Sequence, residues 1–228
     1  MCGRFFRHDV SWAEYRDMLN LVPPDGVAAP EGAYNIAPTQ MVPIIRYTSE
    51  GDGDTSYIEM APAMWGLVPS WWKKPLSEKK FSTFNARVES VATSRSFLGP
   101  FRHHHCLVPA SGFYEWTGAK GAKQPYAIGL RNRRWFCFAG LWDRVMIDGS
   151  ELDTFTILTT RANDLLSDIH SRMPVILPPD AYAYWLDATN RDVDDLFKPY
   201  PADDMHLWPV GTAVGNVRNQ GAALIEET

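Results

Sequence analysis

The sequence predicts an α+β fold, with a mostly antiparallel, curved or barrel-like β-sheet core and short peripheral helices. Three observations favour this class. The predicted strands follow one another and do not alternate regularly with helices, which argues against a doubly wound fold. The 17 prolines and 16 glycines in 228 residues divide the chain into short elements. Hydrophobic residues make up 45% of the chain, enough to bury a sizeable core. No repeat or linker divides the sequence, so we expect a single domain over residues 1–228.

The first predicted element is a helix in SWAEYRDMLNLV. Ser11, followed three residues later by Glu14, has the spacing of a capping box at a helix N-terminus. The apolar residues that then share one helical face are Trp12, Tyr15, Leu19 and Val22. PPDGVAAPEG follows as a predicted loop.

The middle of the chain combines strands with one long loop. MVPIIRY and YIEMAPAMWGLV are predicted as strands, because β-branched and aromatic residues dominate them. PSWWKKPLSEKK is polar, aromatic and interrupted by proline, which indicates a surface loop. FNARVESVATSRSF is predicted to run from a short strand into a short helix.

The second half of the chain is rich in predicted strands. HCLVPASGFYEWTG, QPYAIGL, WFCFAGLWD, DTFTILTT, VILP and MHLWPV are the strand segments. NDLLSDIH is predicted as a helix capped by Asn163, with Leu165, Leu166 and Ile169 facing inward. DAYAYWLDA and RDVDDLF are predicted as two more short helices, and the tail NVRNQGAALIEE as irregular.

Composition excludes several classes of protein. The formal net charge of −5 argues against a protein that holds nucleic acid by bulk charge alone, although a local basic groove is compatible with it. No apolar run has the length of a membrane span, and the N-terminus lacks the apolar stretch of a signal peptide. We therefore expect no membrane partner and a cytoplasmic protein.

Three cysteines are too few and too widely spaced for a disulfide framework or a paired zinc motif. Cys106 and Cys137 lie in apolar runs and are interpreted as core residues. Cys2 follows the initiator methionine, and a small second residue favours removal of that methionine. The freed cysteine would carry an α-amine and a thiol on adjacent carbons, with pKa values of about 8 and 8.5. Such a pair can form a Schiff base with an aldehyde and then close a five-membered thiazolidine ring.

Three polar residues are candidate partners for this chemistry. Glu115 lies in an aromatic strand, where an inward-facing carboxylate suits proton transfer. His170 lies at the end of the predicted helix NDLLSDIH, and Asn85 is a neutral donor and acceptor in FNARVES. Taken one at a time, each residue also has an ordinary structural explanation. Glu115 would be a surface glutamate, His170 a hydrogen-bonded histidine and Asn85 an asparagine in a turn. Cys2 would be a thiol without a special role.

Seven blocks taken together have the order and spacing of a known family. They are MCGRF, YNIAPTQ, WGLVPSWW, FNARVES, SGFYEW, IHSRMPVIL and WPVGTAVGNVRNQG. In these blocks the sequence resembles the SRAP (SOS response-associated peptidase) family over nearly its whole length, and in its length it resembles the bacterial form.

The resemblance implies a sensor and shield of abasic sites in single-stranded DNA that forms a covalent DNA–protein crosslink through a thiazolidine. In that reading Cys2 is the nucleophile, and Asn85 orients the N-terminal amine and the sugar. Glu115 is the general acid/base for Schiff-base formation and for reversal, and His170 donates a proton during opening of the sugar ring. The family name also implies peptidase activity, most simply release of Met1. We expect a monomer that associates with the nucleoid after DNA damage.

Basic and aromatic residues of the same blocks are candidates for binding DNA. Arginine suits phosphate, and aromatic rings stack on bases without sequence preference. The candidate DNA-binding residues are Arg4, Pro38, Trp71, Trp72, Arg87, Arg95, Trp116 and Arg172. Arg87 should share a face with Asn85 if that segment is extended.

No metal or other cofactor is expected. His103, His104 and His105 are adjacent, so their side chains do not converge on one ion, and we interpret them as a polar entry into the following strand.

Two alternatives remain open. An N-terminal-nucleophile hydrolase would use Cys2 against a small amide or peptide, with its own amine as base. A non-covalent single-stranded DNA-binding module would not need Cys2.

Overall fold

A computed structural model describes residues 2–21, 23, 26–49, 56–119 and 121–228. Within them the strands are β1 (Phe5–Arg7), β2 (Ala33–Ile36), β3 (Met41–Ser49), β4 (Ser56–Trp65), β5 (Asn85–Arg87), β6 (His105–Ala110), β7 (Gly112–Thr117), β8 (Gln124–Leu130), β9 (Phe136–Ile147), β10 (Ser150–Arg161), β11 (Arg172–Pro174), β12 (Ile176–Leu177) and β13 (Met205–Pro209). The α-helices are α1 (Trp12–Leu19), α2 (Val88–Val91), α3 (Leu98–His103) and α4 (Tyr182–Leu186). Single 3-10 turns cover Leu76–Glu78, Pro179–Ala181, Asp194–Phe197, Ala202–Asp204, Thr212–Gly215 and Ala222–Ile225.

Five strands close into a barrel. Neighbours pair in the order β10, β4, β3, β6 and β9, and β9 pairs back onto β10. All of these pairings are antiparallel except that of β4 with β10, which is parallel and joins Met64 to Thr154 and Trp65 to Phe155. Beyond the contact with β4, β10 pairs with β5 and β11. The barrel-like, mostly antiparallel sheet predicted from the sequence is confirmed.

A second antiparallel sheet packs against the barrel, with strand order β13, β8, β7, β1 and β2. Phe5 on β1 lies between the two sheets, with its ring 5.2 Å from that of Trp65 and 5.8 Å from that of Phe138. The core shared by the two sheets also contains Cys2 and Phe113, both fully buried. The N-terminus is therefore built into the core, which explains why a residue as early as Cys2 has a fixed environment.

Helix α1 begins as predicted. The Ser11 hydroxyl accepts from the Glu14 backbone N–H at 3.3 Å, and the Glu14 carboxylate accepts from the Ser11 N–H at 2.8 Å. Tyr15 and Leu19 are buried, and the helix ends where Asn20 adopts a left-handed conformation with φ 53°. The predicted packing of Val22 concerns a position outside the described residues.

Some local predictions were wrong. The Asn163 side chain caps this segment as predicted, accepting from the Leu166 N–H at 3.2 Å, but residues 164–169 form successive turns and not a helix. Their backbone bonds span three or four residues and return to the carbonyls of Asn163 and Leu166, so no regular helical series develops. Leu166 is nevertheless buried, as expected. RDVDDLF forms only a 3-10 turn, and β1, β2 and α3 were not predicted.

The histidine run enters β6 as expected, and its last ring lies in the core. His105 is buried and stacks on Trp185 with ring centres 3.9 Å apart, and its nitrogens lie 2.7 and 2.8 Å from the carbonyl oxygens of Trp185 and Phe101. The two cysteines interpreted as core residues, Cys106 and Cys137, are fully buried.

None of the helices in the described part of the chain is long and apolar enough to cross a lipid bilayer.

Candidate active site

Cys2 lies just ahead of β1 with its side chain fully buried. Its thiol donates to the Arg4 carbonyl oxygen at 3.7 Å, and its own carbonyl oxygen accepts from Nδ2 of Asn85 at 2.8 Å. Burial raises the pKa of the Cys2 thiol far above its ordinary value, and the nearby Glu115 carboxylate raises it further. The thiol is therefore protonated at neutral pH, so its reaction as a nucleophile requires a nearby proton acceptor.

Strand pairing brings Glu115 to Cys2. β1 and β7 are antiparallel with Phe5 opposite Phe113, and the Tyr114 N–H donates to the Arg4 carbonyl, so β7 continues alongside the residues before β1. Side chains alternate along a strand, so Glu115 shares the face of Phe113, which packs in the same core as Cys2. Glu115 is 5% exposed, which confirms the prediction that it faces inward.

Strand β5 supplies the second contact to Cys2. It pairs in parallel with β10, with Asn85 opposite Ile157 and Arg87 opposite Thr159. Ala86 is buried, whereas Asn85 is half-buried and Arg87 is exposed on the opposite face. The predicted common face of Asn85 and Arg87 is confirmed, and it places a guanidinium two residues from the side chain that holds Cys2.

His170 lies between the turns after β10 and the start of β11. Its Nδ1 lies 3.0 Å from the Arg172 backbone nitrogen and 3.2 Å from the Arg172 carbonyl oxygen. Leu166 and Met173, on either side of it in sequence, pack in the same core as Cys2. The residues that flank His170 therefore belong to the same core as Cys2.

Arg4 is engaged in the interior. Its guanidinium donates to Oδ1 of Asn35 at 2.6 Å and to the Val214 carbonyl at 2.8 Å. Asn35 is fully buried, and its Nδ2 lies within 3.2 Å of the carbonyls of Val214, Asn216 and Asn219. Arg4 also lies 5.7 Å from the ring centre of half-buried Trp116. This network ties β1 and β2 to the segment VGNVRNQG near the C-terminus.

The predicted surface loop after β4 presents the tryptophan pair. Trp71 is 41% exposed, and the Arg95 guanidinium lies over its ring at 4.5 Å. Trp72 is half-buried against Phe81, with ring centres 5.6 Å apart. Of the two tryptophans, Trp71 is therefore the exposed one, and the Arg95 guanidinium stacks on its ring.

Pro38 lines a cavity of about 380 Å³ beside this loop. The other walls include Trp65, Phe81 and Phe84, so the cavity is mostly apolar. Phe84 directly precedes Asn85, which places the cavity next to the candidate active site.

Arg172 forms a bidentate ion pair with Glu89, with nitrogen–oxygen distances of 2.5 and 2.9 Å. It also donates to Thr159 on β10. A phosphate that approaches Arg172 therefore competes with a carboxylate already in place.

The structure brings Cys2, Asn85 and Glu115 together, and Arg87 lies on the same face of β5 as Asn85. His170 shares with them the core that its neighbours pack into. Sequence reasoning missed Asn35. Its position inside the apolar run YNIA was the available signal, because alternation along a strand would bury a polar side chain there. A nucleophile, a carboxylate, an amide and an exposed basic and aromatic surface can together bind a strand of DNA and react with a carbonyl on it.

Comparison with known proteins gives one family. The family model described as SOS response associated peptidase (SRAP) matches residues 1–217. Abasic site processing protein YoqW of Bacillus subtilis is 36% identical over 99% of both chains, and abasic site processing protein YedK of Escherichia coli is 34% identical over 99% of both. A crystal structure of a protein from Bordetella bronchiseptica is similar with a TM-score of 0.74 and 30% identity, covering 92% of this chain and 100% of that one. The protein belongs to the SRAP family.

Proposed function

We propose that this protein recognises abasic sites in single-stranded DNA and shields them by forming a covalent crosslink through Cys2. The observation that carries the proposal is the hydrogen bond of Asn85 to Cys2, with the Glu115 carboxylate close enough to act on the thiol, in a chain whose relatives are named abasic site processing proteins.

The first step is release of Met1 by hydrolysis of the Met1–Cys2 peptide bond, which consumes one water and frees the α-amine of Cys2. Asn85 then orients that amine through its hydrogen bond to the Cys2 carbonyl. His170 donates a proton to the ring oxygen of the abasic sugar as the bond from that oxygen to C1 breaks, and the C1 hydroxyl gives its proton to water, which leaves the open-chain aldehyde.

The amine nitrogen adds to the aldehyde carbon, and Glu115 transfers the protons needed for the oxygen to leave as water. The resulting Schiff base is attacked by the Cys2 sulfur, whose proton passes by way of Glu115 to the nitrogen. One C–N and one C–S bond replace the C=O bond, and the product is a thiazolidine. The same steps in reverse release the DNA.

The crosslink protects the strand because it removes the aldehyde that acidifies the neighbouring C–H. Without that acidity, β-elimination and strand breakage slow down. Arg87, Arg95 and Trp71 provide the exposed surface for phosphates and bases, while Arg4 and Trp116 line the N-terminal side.

The test is to mix the processed protein with a single-stranded oligonucleotide that carries one abasic site, and to look for a heat-stable adduct on a denaturing gel. The proposal requires an adduct that depends on Cys2 and on a free α-amine. Cys2→Ser should give a less durable adduct, because oxygen closes a less stable ring than sulfur. An equally durable Cys2→Ser adduct would contradict ring closure by the thiol.

The same assay separates the alternatives. Amide turnover without an adduct would favour an N-terminal-nucleophile hydrolase. Binding that Cys2→Ala leaves intact, again without an adduct, would favour a non-covalent DNA-binding module.

A further inference from the structure

The lysines of this protein are concentrated in one place. Four of its seven lysines lie in the eight-residue stretch 73–80, which we call the lysine segment: Lys73, Lys74, Lys79 and Lys80. The only acidic residue in the segment is Glu78, so the segment carries a formal charge of +3 in a chain of −5. The remainder of the chain is therefore at −8, and such segregation indicates a local surface for a polyanion.

The fold fixes this segment at the candidate active site. The loop that contains it is closed by the Leu67 N–H donating to the Thr83 carbonyl at 3.3 Å and the Thr83 hydroxyl donating to the Leu67 carbonyl at 2.6 Å. Thr83 lies two residues before Asn85. The base of the loop is therefore held beside Asn85, and it cannot move away without breaking a buried hydrogen bond.

Exposed aromatic rings flank the lysines. Trp71 precedes the segment and is 41% exposed, and Phe81 follows it and is 38% exposed. The Lys79 ammonium lies 5.0 Å from the Phe81 ring centre, and both residues line the apolar cavity beside Asn85. The cavity volume of about 380 Å³ falls in the range of pockets that hold small organic ligands, roughly 300–1,000 Å³.

Three of the lysines are available for an external partner. Lys73, Lys74 and Lys80 are exposed. Lys74 lies 3.4 Å from Glu78, but both side chains are exposed, and such surface pairs contribute little.

We propose that the lysine segment, with Trp71 and Phe81, holds the single-stranded DNA that flanks the abasic nucleotide. The ammonium groups contact phosphates, and the rings and the cavity take unpaired bases. The inference rests on the proposed function, because that function places the abasic nucleotide at Asn85. Single-stranded DNA fits better than duplex, since the faces of its bases are open to stack on aromatic rings.

The test measures binding without chemistry. The probe is a fluorescent single-stranded oligonucleotide of mixed sequence without an abasic site, titrated at several salt concentrations. Each lost phosphate contact lowers the steepness of the plot of log affinity against log salt by about 0.7. For Lys73→Gln/Lys74→Gln/Lys80→Gln we therefore expect the plot to be less steep by about 2. Affinity at moderate salt should fall on the order of tenfold or more. Lys79 is left unchanged because partial burial lowers its pKa.

The matched control is Arg16→Gln/Lys123→Gln/Lys198→Gln, which removes three exposed positive charges away from the loop and should leave the slope close to wild type. An unchanged slope in the lysine-segment variant, or an equal loss in the control, would overturn the proposal. A loss on blunt duplex DNA as large as that on the single strand would overturn the single-strand assignment.

A second arm separates this inference from the proposed function. With an abasic oligonucleotide at protein concentrations below saturation, the lysine-segment variant should form less adduct than the wild-type protein, in proportion to its loss of affinity. If the wild-type protein forms no adduct, the proposed function fails, while the salt dependence on intact DNA still decides whether the lysine segment binds a single strand.

Discussion

Asp143 and Thr154 lie directly opposite each other on β9 and β10, and each accepts a backbone hydrogen bond from the segment that leads into Trp71. The Thr154 hydroxyl accepts from the Val68 N–H, and the Asp143 carboxylate accepts from the Ser70 N–H, both at 2.8 Å. Both side chains are buried in the barrel wall. A polar pair in the barrel thus fixes the base of the loop that carries the tryptophans.

Thr154→Val should destabilise the protein and loosen this loop. Valine has nearly the shape of threonine but cannot accept from the Val68 N–H, and leaving a buried N–H without its partner costs about 1–3 kcal/mol. The free energy of unfolding from urea denaturation measures this loss. We also expect weaker binding of single-stranded DNA, because the position of Trp71 becomes less fixed.

The matched control for that variant is two residues away. Thr156 is also fully buried on β10, but its hydroxyl has no hydrogen-bond partner among the described residues. Thr156→Val should therefore be neutral or stabilising. If both valine variants lose the same free energy of unfolding, the hydrogen bond from the Val68 N–H does not explain the effect of Thr154→Val.

Asn85→Ala should slow adduct formation about tenfold while leaving DNA affinity near wild type. The substitution removes the hydrogen bond to the Cys2 carbonyl, and one such bond contributes about 0.5–1.5 kcal/mol. Asn85→Asp should be slower still, because a carboxylate oxygen would face the Cys2 carbonyl oxygen. Rates from denaturing gels at saturating protein measure the effect.

The control for these two variants is thermal unfolding, which shows whether either one is globally destabilised. An Asn85→Asp rate equal to wild type would contradict a role for the amide N–H in holding Cys2.

The elements predicted correctly from the sequence are those determined by residues close to one another in the chain. The Ser11–Glu14 capping box and the long strands depend on neighbours in the chain, and both are present in the structure. Prediction from the sequence failed at residues 163–170, where helical spacing and the Asn163 cap are present but the backbone bonds mix three- and four-residue turns and do not continue as a helix. Strand β1 is only three residues long, too short for its alternation to be distinguished from a loop.

The candidate site depends on contacts between distant parts of the chain. Cys2 and Asn85 are 83 positions apart, and Arg4 and Val214 are 210 apart. No local pattern encodes such distances, so the grouping of Cys2, Asn85 and Glu115 followed from the family resemblance and not from spacing. Asp143 was missed for the same reason, because its partner Ser70 lies on a segment far away in sequence. Asn35 differs, because its position inside the apolar run YNIA is a local signal for a buried polar side chain.

Stability should fall as the pH rises above about 8.5, the ordinary pKa of a cysteine thiol. Cys2, Cys106 and Cys137 are fully buried, and burial raises the pKa of each thiol in the folded protein. The unfolded chain then loses these protons first, so the free energy of unfolding falls by up to about 1.4 kcal/mol per pH unit for each thiol. Below this pH the three thiols are protonated in both the folded and the unfolded protein, so they do not change the free energy of unfolding with pH.

Urea denaturation at closely spaced pH values above neutrality measures that slope. Between about pH 8.5 and pH 10, below the ordinary pKa of tyrosine, Cys106→Ala should reduce that slope by about a third, because one of the three titrating thiols is gone. A free energy of unfolding that stays constant or rises through this range would contradict the buried, protonated state of the thiols.

Glu89→Gln should strengthen binding of single-stranded DNA. Glu89 holds Arg172 in a bidentate pair, and the Arg172 hydrogen bonds lower the pKa of Glu89, so the carboxylate is charged at neutral pH and competes with phosphate. A glutamine cannot neutralise the guanidinium, so one more positive charge faces the DNA. We expect the salt slope on an intact oligonucleotide to rise by about 0.7, with a several-fold gain in affinity at low salt. The matched control is Glu151→Gln, which breaks a similar surface pair with Arg144 at the far end of β10 and should leave binding unchanged. An equal gain in both variants would indicate a general effect of net charge, and no gain in Glu89→Gln would mean that Arg172 does not contact DNA.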